Sequence, residues 1–166
     1  MTNTSISVSL PNIASVEALG HSIFQMAMPG TSITLSGEIG VGKTTLARSI
    51  ICAALEKDEE VPSPTFTLVQ TYEIPSGIIL WHFDLYRLTT HEEAWELGIE
   101  DAFAYGISLI EWPERLGPLW PPDRLDIIMV LAGWNNERQA FLQGRGLWEE
   151  RIGLLGKGIM EQLCMW

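Results

Sequence analysis

The chain has 166 residues, enough for one domain, and 46% hydrophobic against 19% charged residues is typical of a folded protein rather than a disordered one. No apolar run is long enough to span a membrane and the first residues lack the pattern of a secretory signal, so we expect a cytoplasmic protein without membrane contact. The formal net charge of −11 disfavours direct binding to a nucleic-acid backbone, and a partner would have to supply any such contact.

Strand and helix patterns are mixed along the chain. Short runs rich in β-branched or alternating apolar residues predict strands, and apolar residues spaced three and four apart predict helices. The predicted strands are 6–10, 31–36, 65–73, 78–84, 107–112, 124–132 and 138–146. The predicted helices are 13–27, 43–56, 90–98 and a last segment after 147 that glycines at 153, 156 and 158 interrupt. This order predicts an α/β, three-layer fold with a mostly parallel central sheet and antiparallel additions.

Turn and capping residues mark the ends of these elements. Asn12 is a predicted N-cap, Thr90 and Glu93 form a predicted capping box, and Gly98 is a predicted helix end. The Pro-rich stretch 116–123 predicts a loop. Two turn signals predict hairpins: IPSG (74–77) between the third and fourth strands, and GWNNE (133–137) between the sixth and seventh.

The stretch SGEIGVGKTTLARSI (36–50) contains a Gly-x4-Gly-Lys-Thr motif at a strand-to-helix junction. Its glycines permit the tight backbone turn whose N–H groups converge on phosphate oxygens at a helix N-terminus. In this motif Lys43 reaches the β- and γ-phosphates and the Thr44 hydroxyl binds Mg²⁺. The residues expected to contact ATP or ADP are Gly37, Glu38, Ile39, Gly40, Val41, Gly42, Lys43, Thr44 and Thr45.

A P-loop ATPase also needs an acid at the end of a neighbouring strand, to hold Mg²⁺ or its waters. Two residues qualify, Asp84 at the end of IILWHFD and Glu111 near the end of ISLIEW. The residues alone leave open which of the two holds the metal.

The class of nucleotide enzyme can be narrowed from what the sequence lacks. A GTPase needs an Asn/Thr-Lys-x-Asp box, and none surrounds the three lysines, Lys43, Lys57 and Lys157. The seven arginines are dispersed, whereas small-molecule kinases usually carry an arginine-rich lid. A compact ATPase is therefore favoured, with a small-molecule kinase or a non-catalytic nucleotide-sensing adaptor as the alternatives.

Several stretches together resemble one family. They are GEIGVGKTTLAR (37–48), SPTFTLVQTY (63–72), HFDLYRL (82–88), ELGIED (96–101) and LIEWPERL (109–116). They resemble the bacterial TsaE (formerly YjeE) family, the ATPase component of tRNA threonylcarbamoyladenosine biosynthesis. The resemblance covers about residues 6–148, so residues 1–148 are predicted to form the P-loop ATPase domain and 149–166 a C-terminal tail. The tail has a helical pattern, includes Trp166 and has no assigned role.

The resemblance implies an ATP-binding and ATP-hydrolysing subunit needed for threonylcarbamoyl modification of adenosine 37 in tRNA. It implies Mg²⁺-dependent ATPase activity, weak in isolation and stimulated by a partner. That partner is a TsaB–TsaD heterodimer, through which tRNA is reached only indirectly.

Residue roles follow from the resemblance by matching position. Lys43, Thr65, Asp84 and Glu111 take catalytic roles, and Thr44 with Glu111 forms the Mg²⁺-binding pair. Asp84 is expected to be an essential acid near the same centre. Thr65 belongs to Ser63–Phe66, which resembles a switch segment that senses the γ-phosphate.

Other assignments concern the surroundings of the site. Ile13, within Pro11–Val16, and Arg138, in the late hairpin, are expected to approach adenine from opposite sides. Trp112 follows the metal acid, with nucleotide packing, partner contact and core packing all open. His82 alternates with Asp84 on one strand face, so a hydrogen bond near the site is open, and a core histidine is favoured. Arg87 could reach the site or a partner, and a surface ion pair is favoured.

Overall fold

The computed structural model describes residues 4–164 and has a seven-stranded sheet with helices on both faces. Trp166 lies outside the described residues. The strands are β1 Ser5–Leu10, β2 Thr31–Ser36, β3 Val69–Glu73, β4 Ile79–Asp84, β5 Ile107–Glu111, β6 Arg124–Ala132 and β7 Glu137–Arg145. The helices are α1 Ile13–Met26, α2 Lys43–Leu55, α3 Glu93–Glu96, α4 Ile99–Tyr105 and α5 Trp148–Cys164. None of the helices in this part of the chain is both long and apolar enough to cross a membrane.

The strand order is β1-β7-β6-β2-β5-β4-β3. The central strands β6, β2, β5 and β4 are parallel neighbours, whereas β3, β7 and β1 join through antiparallel pairings. The predicted α/β fold with a parallel centre and antiparallel additions is therefore confirmed. Because β2, β4 and β5 run in the same direction, their carboxyl ends meet at one edge of the sheet.

Apolar side chains cover both faces of the sheet and produce the three layers. Helices α1, α2 and α5 pack on one face, where Leu19, Ile50 and Trp148 are buried. Phe83 and Ile110 belong to a second cluster, which the segment containing α3 and α4 covers on the opposite face. Each fully buried Leu, Ile or Phe contributes about 1.5–3 kcal/mol. Along β4, Leu80 belongs to the first cluster and Phe83 to the second, so alternate side chains of this strand pack on opposite faces of the sheet.

Local signals explain most element ends. Asn12 caps α1 as predicted, since its Oδ1 accepts the Ser15 N–H at 2.9 Å and the Ser15 hydroxyl accepts the Asn12 N–H at 3.2 Å. Both predicted hairpins form, β3–β4 and β6–β7. These turns and caps place the Gly-rich stretch between β2 and α2, where the motif requires it.

Two predictions about the switch region and the helix after it are wrong in detail. Residues 65–68 form a turn rather than the first half of a strand, because Leu68 donates its N–H to Pro64 at 2.7 Å and adopts φ +66°. The predicted Thr90–Glu93 capping box does not form, since Glu92 is the N-cap of α3 and the hydroxyl that bonds Glu93 is that of Thr89.

The segment from 90 to 123 also contains more helix than the pattern predicts. Gly98 ends the single turn of α3 in the left-handed conformation, as predicted, and α4 then begins at Ile99. Part of the predicted loop 116–123 lies in a 3₁₀ segment, Pro113–Leu119, with a break at Gly117. Single turns of this kind give little periodic signal, which is why the pattern misses them.

Helix α5 is continuous through its three glycines, whereas the sequence predicts interruptions there. Its residues Trp148, Ile152 and Leu155 recur with helical spacing and are buried against the same core as α1 and β7. Apolar burial of this size exceeds the cost of a helical glycine, about 1 kcal/mol. The division of the chain at residue 148 stays a prediction.

Candidate functional site

The Gly-rich loop turns from β2 into α2 at the carboxyl edge of the sheet. Gly42 precedes α2 with φ +111°, in the left-handed region that favours glycine. At Gly37, with φ +143°, a Cβ atom would lie 2.5 Å from the carbonyl oxygen of Met129 on β6. The loop therefore requires glycine for both conformation and space, and it presents the N-terminus of a 13-residue helix.

A cavity of about 360 Å³ opens beside this loop. The loop, the segment around 63–65, the ends of β4 and β5 and the start of β7 all contribute to its walls. Its lining residues are Ile39, Gly40, Gly42, Lys43, Thr44, Thr45, Ser63, Thr65, Asp84, Tyr86, Glu111, Trp112 and Arg138. Two cationic side chains, two carboxylates and a helix N-terminus thus converge on one space, which suits a metal-bound polyphosphate.

Two larger cavities, of about 830 and 620 Å³, lie elsewhere. The first follows strands β1, β6 and β7, and the second lies between α1, α2 and residues 57–62. Neither is lined by Lys43, Asp84 or Glu111. Convergence of charged and backbone groups, rather than volume, therefore identifies the candidate site.

Lys43 lies within the loop in this structure. Its Nζ atom donates to the carbonyl oxygens of Gly37 at 2.5 Å and Glu38 at 2.9 Å, and lies 4.3 Å from the centre of the Trp112 ring. Burial lowers the pKa of the Lys43 ammonium, and the negative charge of Glu111 acts against that shift. The ammonium thus has neutral partners that phosphate oxygens can replace.

Glu111 is buried and held through both carboxylate oxygens. Oε1 accepts the Thr44 hydroxyl at 2.8 Å, and Oε2 lies 2.7 Å from Nε2 of His82. Both side chains that the sequence predicts as Mg²⁺ ligands therefore meet at the wall of the cavity.

The donor set can be tested against Mg²⁺ itself. The ion takes oxygen ligands at about 2.0–2.1 Å in octahedral geometry, so two adjacent ligand oxygens stand about 2.9 Å apart. The Thr44–Glu111 oxygen separation of 2.8 Å fits that value. In the described part of the chain, residues 4–164, no group of three His, Cys, Asp or Glu residues is arranged to hold a metal. Mg²⁺ usually takes one or two protein ligands and completes its shell with phosphate and water, so the Thr44–Glu111 pair is a sufficient protein donor set for it.

Asp84 ends β4 directly beside Glu111, its register partner on β5. Its Oδ1 accepts the Tyr86 N–H at 3.2 Å. Burial raises the pKa of the Asp84 carboxyl; the Tyr86 N–H opposes the shift, the Glu111 charge adds to it, and His82 and Lys43 oppose it. The carboxyl therefore lies near the loop in surroundings that make its ionisation less favourable than in water.

We expect Asp84→Asn to raise the melting temperature of the nucleotide-free protein at pH 7–8. Because the folded-state pKa lies above the ordinary value of 3.8, the stability contributed by the protonated carboxyl is full below that value. It is lost as pH rises through the raised pKa, whereas asparagine is never ionised. For a domain of this size, each kcal/mol added to the free energy of unfolding raises the melting temperature by about 2–4 °C. Thermal unfolding of both proteins between pH 4 and pH 8 measures the difference.

The exposed Asp58 provides the control for this prediction, since Asp58→Asn should leave the melting temperature unchanged relative to wild type across the range. A difference between wild type and Asp84→Asn that does not grow with pH contradicts the pKa direction.

The switch segment and its aromatic neighbours surround the cavity mouth. The Ser63 and Thr65 hydroxyls are 2.9 Å apart, and the Phe66 side chain is 84% exposed. Arg87 packs its guanidinium 4.9 Å from the centre of the Phe66 ring. Within the described residues it forms no ion pair, so the predicted surface ion pair is not found there. Trp112 adopts a left-handed backbone with φ +58°. Such strain in a non-glycine residue is typical of functional sites.

Arg138 and Ile13 line an adjoining cavity of about 150 Å³. Arg138 donates from Nε to the carbonyl of Val41 at 3.0 Å and therefore connects β7 to the Gly-rich loop. Ile13 lies at the start of α1 with an exposed side chain. The adjoining cavity shares Gly42, Thr45 and Arg138 with the larger one. The adjoining cavity is therefore positioned to receive the base of a nucleotide whose phosphates occupy the larger cavity. The contacts of Ile13 and Arg138 with adenine stay a prediction.

The structure brings most of the sequence-predicted site residues to one cavity. Of the others, Gly37 and Glu38 accept hydrogen bonds from Lys43 through their backbone carbonyls, and Val41 accepts one from Arg138. Ile13 lies in the adjoining cavity. At His82 the sequence favours a core histidine, whereas the structure also places the Nε2 atom of its ring 2.7 Å from Glu111. Its alternation with Asp84 was the available signal, but the partner strand that places Glu111 beside it cannot be identified from spacing.

Comparisons with known proteins agree with one another. The family model described as threonylcarbamoyl adenosine biosynthesis protein TsaE matches residues 10–140. The chain is 36% identical over 126 residues to the tRNA threonylcarbamoyladenosine biosynthesis protein TsaE of Rickettsia felis, covering 76% of this chain and 73% of that protein. It is 33% identical over 130 residues to the protein of the same name from Bacillus subtilis, covering 77% and 78%. Its fold matches the crystal structure of Bacillus subtilis YdiB with a TM-score of 0.73 and 26% identity, over 95% of both chains.

Proposed function

This chain belongs to the TsaE family of tRNA threonylcarbamoyladenosine biosynthesis, and within that role we propose that it is a Mg²⁺-dependent ATPase subunit acting on a TsaB–TsaD heterodimer in the cytoplasm. The observation that carries the proposal is the contact between Thr44 and Glu111, 2.8 Å apart beside Lys43 in a cavity at a helix N-terminus. A phosphate loop alone binds nucleotide, whereas a loop threonine paired with a strand-end acid is the arrangement that also holds Mg²⁺.

In the proposed mechanism the polyphosphate of ATP lies in the larger cavity, against the loop N–H groups and the α2 N-terminus. Lys43 leaves its carbonyl partners and donates to the β- and γ-phosphates. Thr44 and Glu111 would hold Mg²⁺, which would supply positive charge against the phosphates. Asp84 faces the same cavity and orients the attacking water. Thr65 donates to the γ-phosphate, and its segment loses that partner after hydrolysis.

The surface around the cavity supports a partner-dependent cycle. Ile39 and Phe66 are exposed on the loop and on the switch segment, 72% and 84% respectively, and Tyr86 is partly exposed beside Trp112. Apolar side chains at the mouth of a polar cavity favour coverage by another protein. The net charge of −11 favours contact with tRNA only indirectly, through the complex.

We expect slow ATP hydrolysis by the isolated protein and several-fold faster hydrolysis with TsaB–TsaD, because the exposed mouth is completed only in the complex. Phosphate release is measured with and without the heterodimer, together with threonylcarbamoyladenosine formation on tRNA over several turnovers.

Equal phosphate release with and without the heterodimer contradicts the proposed partner. Nucleotide binding with no hydrolysis in either condition would favour the nucleotide-sensing adaptor. Phosphoryl transfer to a sugar or nucleoside instead of water would favour a small-molecule kinase.

A further inference from the structure

The side chain that orients Glu111 comes from the neighbouring strand. His82 is fully buried on β4, and its Nε2 atom lies 2.7 Å from Oε2 of Glu111. In the parallel β4–β5 register His82 is opposite Leu109, two residues before Glu111 on the same face. The imidazole therefore reaches diagonally along the sheet to the carboxylate.

The two ends of the carboxylate have different partners. When the carboxylate is ionised it only accepts hydrogen bonds, so the 2.7 Å contact then requires Nε2 of His82 to be the donor to Oε2. Thr44 donates its hydroxyl hydrogen to Oε1, the carboxylate oxygen that faces the Gly-rich loop. With Oε2 fixed, the carboxylate cannot rotate, and Oε1 stays directed at Thr44.

Core packing alone does not account for this histidine. Its other ring nitrogen, Nδ1, is buried and has no hydrogen-bond partner among the described residues. A buried polar atom without a partner costs about 1–3 kcal/mol. An apolar residue would avoid that cost, so the Nε2–H donor to Glu111 is the contribution that only a residue such as histidine makes here.

We propose that His82 is a positioning residue for metal binding: it holds Glu111 in the orientation in which Oε1, together with the Thr44 hydroxyl, binds the Mg²⁺ of a nucleotide complex. The proposal rests on the proposed function. Partners that orient a metal ligand without touching the metal are typically worth 10–100-fold in metal affinity. His82 therefore sets how much Mg²⁺ the site needs, rather than whether the nucleotide can bind at all.

Two substitutions test whether the hydrogen bond donated to Glu111, rather than the imidazole ring itself, is what matters at position 82. In His82→Gln the side-chain amide places an N–H close to the position of Nε2, whereas in His82→Asn the amide is too short to reach Glu111. Phe83→Leu is the matched stability control, because Phe83 is equally buried on the same strand but points to the opposite face. Each protein is first compared with wild type by thermal unfolding.

Binding of a fluorescent, non-hydrolysable ATP analogue is then titrated against Mg²⁺ and repeated in EDTA. For His82→Asn we expect the Mg²⁺ concentration needed for half-maximal binding to rise about 10–100-fold. Affinity in EDTA should change less than about twofold, within the scatter expected of distant effects. His82→Gln should recover most of the Mg²⁺ response, and Phe83→Leu should match wild type.

The outcomes distinguish this proposal from the one on which it rests. A folded His82→Asn protein with the wild-type Mg²⁺ response overturns the role of His82 and leaves the ATPase proposal intact. A Mg²⁺ shift in Phe83→Leu as large as in His82→Asn also overturns it, since loss of stability then suffices. Wild-type protein that binds no nucleotide, or binds it without response to Mg²⁺, instead overturns the proposed function.

Discussion

Alanine in place of Lys43 is expected to abolish ATP binding or to reduce hydrolysis by at least about 100-fold, the loss typical of removing one preorganised charge-stabilising group. Lys43 supplies the only lysine side chain that lines the 360 Å³ cavity within the described residues. Its ammonium now lies against two loop carbonyls, which are weaker partners than phosphate oxygens. Nucleotide binding by calorimetry and phosphate release measure the two effects separately.

The matched control is Lys157→Ala, which removes an exposed lysine from α5. It should bind and hydrolyse ATP as wild type does. The Lys43→Ala protein should remain folded, because burial already lowers the pKa of that ammonium and its removal relieves a desolvation cost. Full ATPase activity in folded Lys43→Ala would contradict the proposal that this loop binds the phosphates of ATP.

Features encoded by contiguous residues were predictable from the sequence. The Gly-rich loop, the capped start of α1 and the β6–β7 hairpin each depend on residues within one short window. Period-two and period-3.6 patterns are strong there because one side of each element packs on the core. Hence the fold class and the position of the Gly-rich loop between β2 and α2 followed from the sequence.

Features that depend on which strands are neighbours were not predictable. Asp84 and Glu111 were both identified as strand-end acids, but their direct register and the Thr44–Glu111 contact arise from the order β2-β5-β4. His82 reaches Glu111 across 29 positions of sequence. The predicted helix 90–98 is reduced to the single turn of α3, and α4 escaped prediction because two turns carry too little periodicity.

Glu111→Gln is expected to have the second large effect, an increase of roughly 10–100-fold or more in the Mg²⁺ concentration needed to bind ATP, since even residues that only orient a ligand are worth that much. The substitution keeps the shape of the side chain but removes the charge that Mg²⁺ requires. Asp84→Asn should leave Mg²⁺-dependent binding within a few-fold of wild type and should lower turnover instead. ATP binding is titrated against Mg²⁺ in both variants, and phosphate release is measured at saturating Mg²⁺.

The expected contrast follows from what each carboxylate already does in the protein. Glu111 is fixed through both oxygens, one of them shared with the loop threonine that the motif assigns to Mg²⁺. Among the described residues, the Asp84 carboxylate is held only by the Tyr86 N–H, and burial raises its pKa above the ordinary value. A carboxylate in that state suits contact with a water molecule better than permanent charge pairing with a metal. A larger Mg²⁺ defect in Asp84→Asn than in Glu111→Gln would therefore reverse the two roles, and loss of turnover in neither would remove both residues from the reaction.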